Sequence, residues 1–355
     1  MGSLARTRKA PLVSVVMPVH NVAPFVAEAL ESILAQTASD FEVIVIDDGS
    51  TDATVAEVRR VADGRVRLVE FGVNQGVAAA LNAGLDSVRG SLVARMDGDD
   101  VSHPQRFARQ LAFLDRHPEI GVLGTAWSFF GARGGTDRYR STPAELKAGL
   151  LFGAPFSHPT VMIRRALLEE NGLRYDPAYE AAEDYDMWAR LARVTEMANL
   201  PDVLFHQRIH PGSVSHVQRP RQEAAARRVR GDLLHSLGAL ASPTEWPLVL
   251  HEEIVRLTAV PGVSAPRFLD LLPRAEAWLL GLLEANCRSG TFDQAGLTQV
   301  VRTHWYKLCR NLDEAGSASF TAAIFQASPL STPTSRLRWW LRKSIRPLFT
   351  RGTQG

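Results

Sequence analysis

Residues 42–52 read EVIVIDDGSTD, and this stretch decides the fold class. The apolar, β-branched run 42–46 predicts a buried strand. The polar residues from Asp47 onward end that strand, and Ser50 or Thr51 can cap a helix over 51–62. A strand that passes through a short polar turn into a helix is the repeating unit of a parallel α/β sheet.

The same unit is repeated on both sides of this stretch. We predict further strands over 13–17, 66–71 and 92–96, and further helices over 24–36 and 76–88. Four strands that alternate with helices favour an α/β fold, with a Rossmann-like, mostly parallel central sheet and helices on both faces.

Beyond residue 100 the alternation is less regular. We predict helices over 104–117 and 184–194, and strands over 122–130, 160–163 and 203–209. The segments 222–240, 245–259, 265–286 and 297–313 all have helical spacing. We therefore divide the chain into a basic N-terminal extension (1–10), a catalytic α/β domain (11–221), a helical domain (222–330) and a basic tail (331–355).

Composition narrows the range of functions. The chain has 355 residues and a net charge of +2, which does not indicate a nucleic-acid-binding protein. Two cysteines, Cys287 and Cys309, match no metal or redox spacing and are expected to be reduced thiols. No apolar run has the length of a membrane span, and residues 1–11 lack the apolar core of a signal peptide, so we expect a cytoplasmic protein.

The chain places polar groups after each of the first four strands, at the sheet edge where ligands of parallel sheets bind. Residues 97–100 read DGDD, and alternate carboxylates around a glycine suit a hard divalent cation such as Mn²⁺ or Mg²⁺. The alternative is a polar turn that caps the following helix. No glycine-rich phosphate loop follows the first strand, so a metal would have to hold any phosphate.

Three other polar groups have two readings each. Asp47 and Asp48 either form a strand-to-helix turn or accept hydrogen bonds from a base or ribose. Glu183 and Asp184 either favour a helix N-terminus or supply a general base for a hydroxyl. The segment 208–215, which begins with Arg208, either binds a diphosphate or completes a metal site, or its histidine, His210, is structural.

Taken together, these segments resemble the family 2 glycosyltransferases, which have the GT-A fold. The resemblance covers about residues 11–217, and its motifs occur in the family's order at 13–21, 42–52, 74–76, 82–84, 96–100, 183–184 and 208–215. It implies an inverting hexosyltransferase that moves a sugar from a nucleotide-diphosphate-sugar to an acceptor hydroxyl. The Gln-x-x-Arg-Trp segment of the processive members is missing, which favours transfer of a single sugar.

The resemblance also implies roles for individual residues. Asp97 and Asp99 would hold Mn²⁺ or Mg²⁺ against the donor diphosphate, and Asp184 would be the catalytic base. The residues assigned to the nucleotide-sugar are Pro18, His20, Asn21, Asp48, Asn74, Gly76, Asp97, Arg208 and His210.

The C-terminal tail carries six basic residues and no acid from residue 330 onward. Over 335–349 these alternate with tryptophan and leucine, a pattern typical of a helix that lies on an anionic membrane surface. The alternative is a terminal helix packed on the body. We expect the tail to hold the enzyme on the inner face of the cell membrane, near a glycan or lipid-linked acceptor.

Two other functions compete with the leading one. A catalytically silent module could keep the nucleotide-sugar pocket without turnover. A sugar-1-phosphate nucleotidyltransferase has a similar sheet, but it carries a glycine-rich loop where this chain has 18–21, PVHN.

Overall fold

A computed structural model describes residues 10–132, 134–137, 142–210, 219–240, 246–259, 268–314 and 318–336. The chain forms two compact units. The first runs to Lys147 and resumes over Ala154–Val229. The second consists of Ala148–Gly153 and the chain from Arg230 onward. The tail prediction falls largely on 337–355, which lie outside the described residues, as do 1–9 of the N-terminal extension.

The strands are β1 (Val13–Val19), β2 (Phe41–Asp47), β3 (Val66–Glu70), β4 (Leu92–Arg95), β5 (Val101–Ser102), β6 (Ile120–Gly131), β7 (Gly135–Asp137), β8 (Met162–Arg164) and β9 (Glu196–Ile209). The helices of the first unit are α1 (Val26–Leu34), α2 (Thr54–Arg60), α3 (Val77–Ser87), α4 (Arg106–Arg116), α5 (Pro143–Gly149, which ends in the second unit), α6 (Arg165–Glu170) and α7 (Glu183–Leu191). The helix α8 (Arg219–Ser236) passes from the first unit into the second, which also contains α9 (Trp246–Ala259), α10 (Phe268–Ser289), α11 (Gln294–Glu314) and α12 (Ala318–Ala327).

The strands of the first unit form one sheet in the order β3-β2-β1-β4-β8-β6-β9-β5, with β7 paired to β6. The four N-terminal strands are all parallel, and β6 and β9 form a long parallel ladder. Only short antiparallel pairings join β4 to β8, β8 to β6, β5 to β9 and β7 to β6. Most paired residues therefore lie in parallel ladders, which confirms the predicted sheet.

Helices cover both faces of the parallel half. Alternate residues of β1, such as Val15 and Met17, pack with Leu30 and Ile33 of α1 in one core cluster. On the opposite face α3 approaches so closely that a Cβ at Gly84 would lie 2.4 Å from Val16 Cγ1. The two-residue periodicity of the strand thus sends successive side chains to different helices, and only glycine allows α3 this approach.

The less regular second half departs most from the predicted elements. The last strand begins at Glu196 rather than at 203, because bulges allow it to continue through polar residues that hide its periodicity. The short strands β5 and β7 were not predicted, since two or three residues carry no periodic signal. The strand predicted over 160–163 is observed at Met162–Arg164, and the 3₁₀ turn His158–Thr160 overlaps the start of the predicted range.

The second unit is helical, as the sequence predicts, and each predicted helix is present with ends displaced by a few residues. The predicted boundary at 221–222 falls inside α8, and the chain passes between units at Val229 and Arg230. Both cysteines are free thiols. Among the described residues, none of the helices combines the length and the hydropathy that crossing a bilayer requires.

Candidate active site

The loops after β1, β2 and β3 are fastened together by Asp48. Its two carboxylate oxygens accept the backbone N–H groups of Gln75 at 2.7 Å and of Gly76 at 3.0 Å. Gly76 has a φ of 90°, a conformation that L side chains rarely adopt, and it also donates to Asn74 Oδ1 at 3.1 Å. Asp48 therefore organises the loop that contains the predicted residues Asn74 and Gly76.

His20 and Asn21 form the neighbouring loop, directly after β1. His20 Nδ1 lies 2.8 Å from the carbonyl oxygen of Asp48, so this nitrogen carries the hydrogen and donates it. Asn21 has a φ of 53°, and its backbone N–H donates to Ser50 Oγ at 2.9 Å. The left-handed backbone conformation explains why asparagine follows the histidine, because asparagine tolerates this conformation better than most residues.

Pro18 and Asp47 lie near the ends of β1 and β2, where these two strands pair. Pro18 lies opposite Ile46 in the parallel register and is partly buried. Asp47 is buried, and its Oδ2 accepts the backbone N–H of Ser50 at 3.1 Å. Its Oδ1 makes no hydrogen bond to any described residue. A buried carboxylate oxygen without a partner needs an external donor, so this position is a candidate ligand contact.

The carboxylates that follow β4 come together as predicted. Asp97, Asp99 and Asp100 each offer an oxygen, and these oxygens lie within 4.8 Å of one another. Burial and the neighbouring carboxylates raise the pKa of Asp100 well above its usual value, and burial also raises that of Asp97. Three crowded hard oxygens that repel one another fit a divalent cation.

Gly98 brings this cluster against the His20 loop. A Cβ at Gly98 would lie 2.6 Å from Val19 Cγ1 and 3.2 Å from Val22 Cγ2. A larger residue would therefore push the carboxylates away from β1. The two groups of predicted residues are neighbours at one edge of the sheet.

Basic side chains already pair with the cluster. Arg95, the last residue of β4, forms an ion pair with Asp97. His210 Nε2 lies 2.9 Å from Asp99 Oδ2, and the backbone N–H of Arg208 donates to Asp100 Oδ1 at 2.7 Å. The end of β9 is thereby fixed to the loop after β4, about one hundred residues earlier in the sequence.

The guanidinium of Arg208 is held among protein groups. Its Nε donates to the carbonyl oxygen of Asp99 at 2.9 Å, and it pairs with Glu28 of α1. It lies 4.9 Å from the ring centre of Phe25 and 4.4 Å from that of Phe130. These contacts brace the acidic loop, which is a role that the sequence did not reveal for this arginine.

Glu183 and Asp184 begin α7, after a residue, Ala181, whose φ is 70°. Burial raises the pKa of Asp184 to about 6, although Tyr185 donates its backbone N–H to this carboxylate at 2.7 Å. Burial and the charge of Asp184 raise the pKa of Glu183 to about 7. Glu183 Oε2 is buried and has no hydrogen-bond partner in the described structure. Raised pKa values are typical of groups that exchange protons.

Arg95 links the two acidic groups. It is 7% exposed, and its charge lowers the pKa of Asp97, Glu183 and Asp184 against the effect of their burial. One buried cation therefore acts on both the cluster after β4 and the start of α7. Sequence reasoning missed this residue, and the signal was a charged side chain at the end of the otherwise apolar run 92–95.

A set of buried contacts supports α7 from below. Asn82 of α3 brackets Tyr175, accepting its backbone N–H and donating to its carbonyl oxygen, both at 2.8 Å. The Tyr175 hydroxyl lies 2.9 Å from His158 Nε2, and the His158 ring packs edge-on against Trp188 of α7 at 5.7 Å. Asn82, which the sequence indicated only as part of the motif 82–84, thus holds the Tyr175 segment that contacts α7 through His158.

Comparison with known proteins identifies the family. The sequence pattern described as Glycosyl transferase family 2 matches residues 14–172. An uncharacterized glycosyltransferase of Haemophilus influenzae is 33% identical over 213 residues, which are 58% of this chain and 78% of the relative. The chain belongs to glycosyl transferase family 2.

Other relatives of this family 2 glycosyltransferase have more specific names. The O-antigen biosynthesis glycosyltransferase WbnJ of Escherichia coli is 30% identical, over 62% of this chain and 88% of the relative. The succinoglycan biosynthesis protein ExoO of Rhizobium meliloti is 33% identical, over 59% of this chain and 64% of the relative.

The solved structures confirm the GT-A fold. S. aureus TarS 1–349 in complex with UDP-GlcNAc has a TM-score of 0.56 and 19% identity, and the match covers 85% of this chain and 89% of that one. The family and the fold that the sequence motifs suggested are therefore both confirmed.

Proposed function

We propose that this glycosyltransferase is metal-dependent and inverting, and that it moves one sugar from a nucleotide-diphosphate-sugar to an acceptor hydroxyl. One observation carries the proposal. A crowded carboxylate cluster and a second carboxylate with a raised pKa share a single buried counter-ion, Arg95. Activation of the donor needs the carboxylate cluster to hold a cation, and removal of the acceptor proton needs a second carboxylate near it.

Asp97 and Asp99 would hold the cation, with Asp100 and His210 close behind them. When bound, Mn²⁺ or Mg²⁺ supplies positive charge that stabilises a departing nucleotide diphosphate. Arg208 keeps the acidic loop in place through the carbonyl oxygen of Asp99 and the carboxylate of Asp100. We assign Arg208 and His210 to this donor side of the site.

Asp184 is the proposed base. A carboxylate with a pKa of about 6 is ionised at neutral pH and is still basic enough to accept a proton from a hydroxyl that is losing it. Because direct displacement at the anomeric carbon inverts its configuration, we propose no covalent sugar–enzyme intermediate.

The nucleotide would lie over the loops that Asp48 fastens. Pro18, His20 and Asn21 border this region on one side, and Asn74 and Gly76 on the other. The unpartnered Oδ1 of Asp47 offers an acceptor there for a base N–H. The TarS structure with UDP-GlcNAc is consistent with a nucleotide-sugar in a GT-A fold of this kind.

For the acceptor we propose a glycan or a lipid-linked precursor of a cell-envelope polysaccharide, which is consistent with the names of WbnJ and ExoO. We also propose that the basic tail holds the enzyme on the inner face of the membrane. We propose that the donor and base residues form one catalytic domain, and all of them belong to the N-terminal unit, which ends at Val229.

A panel of nucleotide-sugars tests the proposal in two steps. Thermal shift with Mg²⁺ or Mn²⁺ should select a donor that stabilises the protein only when the metal is present. Slow hydrolysis of the selected donor should then be measured without an acceptor. Binding without any hydrolysis or transfer would favour the silent module instead. Formation of a nucleoside triphosphate and a sugar 1-phosphate from the donor and pyrophosphate would favour the nucleotidyltransferase.

A further inference from the structure

The segment that leads to the proposed base is bordered by arginines of α8. The guanidinium carbon of Arg228 lies 4.6 Å from the ring centre of Tyr179, and its Nη1 donates to the carbonyl oxygen of Ala178 at 3.5 Å. Arg221 Nη1 lies 4.0 Å from Glu180 Oε1. All these residues belong to the N-terminal unit, so two guanidinium groups lie over the turn 177–180.

This turn is joined directly to the base. The backbone N–H of Ala182 donates to the carbonyl oxygen of Tyr179 at 2.8 Å, and the N–H of Asp186 donates to the carbonyl oxygen of Ala182 at 3.1 Å. Asp184 therefore follows Tyr179 by only five residues, and hydrogen bonds hold this short connection. We infer that a group bound at the arginines would lie near the start of α7, where the proposed base is.

The two arginines are arranged to act together. They are seven residues apart on α8, which places them on the same face of the helix two turns apart. A guanidinium stacked on an aromatic ring keeps its N–H groups directed along its edge, where they match the oxygens of a phosphate. The Arg221–Glu180 pair is exposed and loose, so it holds Arg221 only weakly.

The charge of the surrounding site indicates which kind of acceptor these cations would help to bind. Asp97, Asp99, Asp100, Glu183 and Asp184 all lie in the same unit, and they outnumber the basic side chains that pair with the cluster, Arg95 and His210. The site is therefore acidic until a cation binds. An acceptor that carries a phosphate would be repelled from this site unless cations were placed beside the base. A neutral acceptor would need no such cations.

We propose that Arg221 and Arg228 form a subsite for the phosphate group of an anionic, phosphorylated acceptor. This subsite rests on the proposed function, since it needs an acceptor hydroxyl at Asp184. It is separate from the donor diphosphate, which belongs to the Asp97 and Asp99 cluster. The shared chemistry is that of a sugar phosphate or sugar diphosphate, whether it is soluble or attached to a lipid.

A phosphorus NMR titration with α-glucose 1-phosphate tests the subsite, with UDP and Mg²⁺ present to fill the donor side. The double variant R221A/R228A should weaken glucose 1-phosphate binding by about tenfold or more, because charge-assisted hydrogen bonds are lost. R227A removes the same charge from a position turned about 100° away on α8, and it should leave binding within about twofold. Equal affinities for the two variants would overturn the proposal.

Three further measurements fix the interpretation. Methyl α-glucoside, which lacks the phosphate, should bind the wild type and the double variant equally. R221K/R228K should bind glucose 1-phosphate better than the alanine variant and worse than the wild type, because lysine keeps the charge without the fork. If instead the double variant loses binding to phosphatidylglycerol vesicles but keeps glucose 1-phosphate, the arginines contact the membrane and the subsite is refuted.

Donor hydrolysis separates this proposal from the preceding one. The double variant should hydrolyse the donor as fast as the wild type, because the contacts of both arginines among the described residues are with the turn 177–180 and not with Asp97 or Asp99. If the wild type itself neither binds nor hydrolyses any donor, the proposed function fails, whereas a loss of hydrolysis in R221A/R228A alone would contradict the subsite.

Discussion

His251 of the helical unit and Glu183 of the α/β unit are both buried, but they differ in their hydrogen bonding. In the helical unit His251 is fully buried, and both ring nitrogens have partners: Nε2 donates to the carbonyl oxygen of Leu151 at 2.6 Å, and Nδ1 accepts from Trp278 Nε1 at 3.1 Å. Burial lowers its pKa to about 3. His304 stacks on Phe152 at 3.8 Å, and burial lowers its pKa to about 4. Both histidines are neutral parts of a packed core.

In the α/β unit two buried charged groups near the proposed site, Arg95 and Glu183, are incompletely paired. Arg95 Nε and Glu183 Oε2 make no hydrogen bond to a described residue, and the pKa of Glu183 is raised to about 7. A buried group that lacks a partner is costly, so it persists where a ligand or a reaction needs it. The comparison of these groups teaches that burial alone does not distinguish a structural histidine from a carboxylate beside the proposed base, whereas their hydrogen bonding does. Unpartnered buried atoms such as Glu276 Oε1 and Arg302 Nε also occur among the described residues of the helical unit, so this criterion applies to the named groups and not to each unit as a whole.

The largest expected effect is on turnover, through the proposed base Asp184. Asp184→Asn should lower the turnover number by about 10³-fold, because an amide cannot accept the proton, while the affinity for the donor stays nearly unchanged. Steady-state kinetics with donor titrations measures both. Asp186→Asn is the matched control, since Asp186 pairs with Arg190 in the same helix. Turnover of Asp184→Asn near the wild-type rate would remove the base assignment.

The acidic cluster should show the next largest effect. Asp99→Ala should weaken metal-dependent donor binding by about 10–100-fold, because it removes a ligand and the partner of His210. Calorimetric titration of the donor with Mg²⁺ and with EDTA separates the metal-dependent part. If the wild type binds the donor equally well in EDTA, the cluster does not hold a metal for the donor.

Acid should destabilise the helical unit through His251. Its folded pKa of about 3 lies below the unfolded value, so the stability it confers is complete above pH 6.5 and is lost as the pH falls. Between pH 7 and pH 5 the loss is about 2 kcal/mol. Hydrogen exchange of the helical unit measures it. His251→Gln should remove about half of the acid response of the helical unit, because His304 contributes a loss of similar size over the same pH range. An equal acid response in that variant would refute the assignment.

A second effect on stability should have the opposite sign. The pKa of Glu183 is raised, so its ionised form costs stability at high pH, and this cost shrinks as the pH falls through about 7. Glu183→Gln should therefore stabilise the α/β unit by about 3 kcal/mol at pH 8 and by about 1 kcal/mol at pH 5. Urea unfolding at the two pH values tests this. A loss of stability at pH 8 would show that the carboxylate is well paired in the fold.

Local patterns in the sequence determined a large part of this protein. The alternation of β-branched runs and helical spacing gave the parallel half of the sheet, because burial on one face imposes a fixed periodicity on neighbouring residues. The acidic residues at 97–100 and 183–184 were visible because they interrupt apolar segments. Asp97 and Asp99 could therefore be proposed as cation ligands from the sequence, with a polar turn as the alternative.

Contacts between distant segments were decided by the tertiary structure alone. The effect of Arg95 on Asp184, the contact of Arg208 with the acidic loop and the approach of Arg228 to Tyr179 leave no periodic trace in the sequence. Periodicity reports which face of an element is buried. Which charges meet across that face depends on how the chain folds back over more than one hundred residues, because electrostatic energy depends on distance in space and not along the chain.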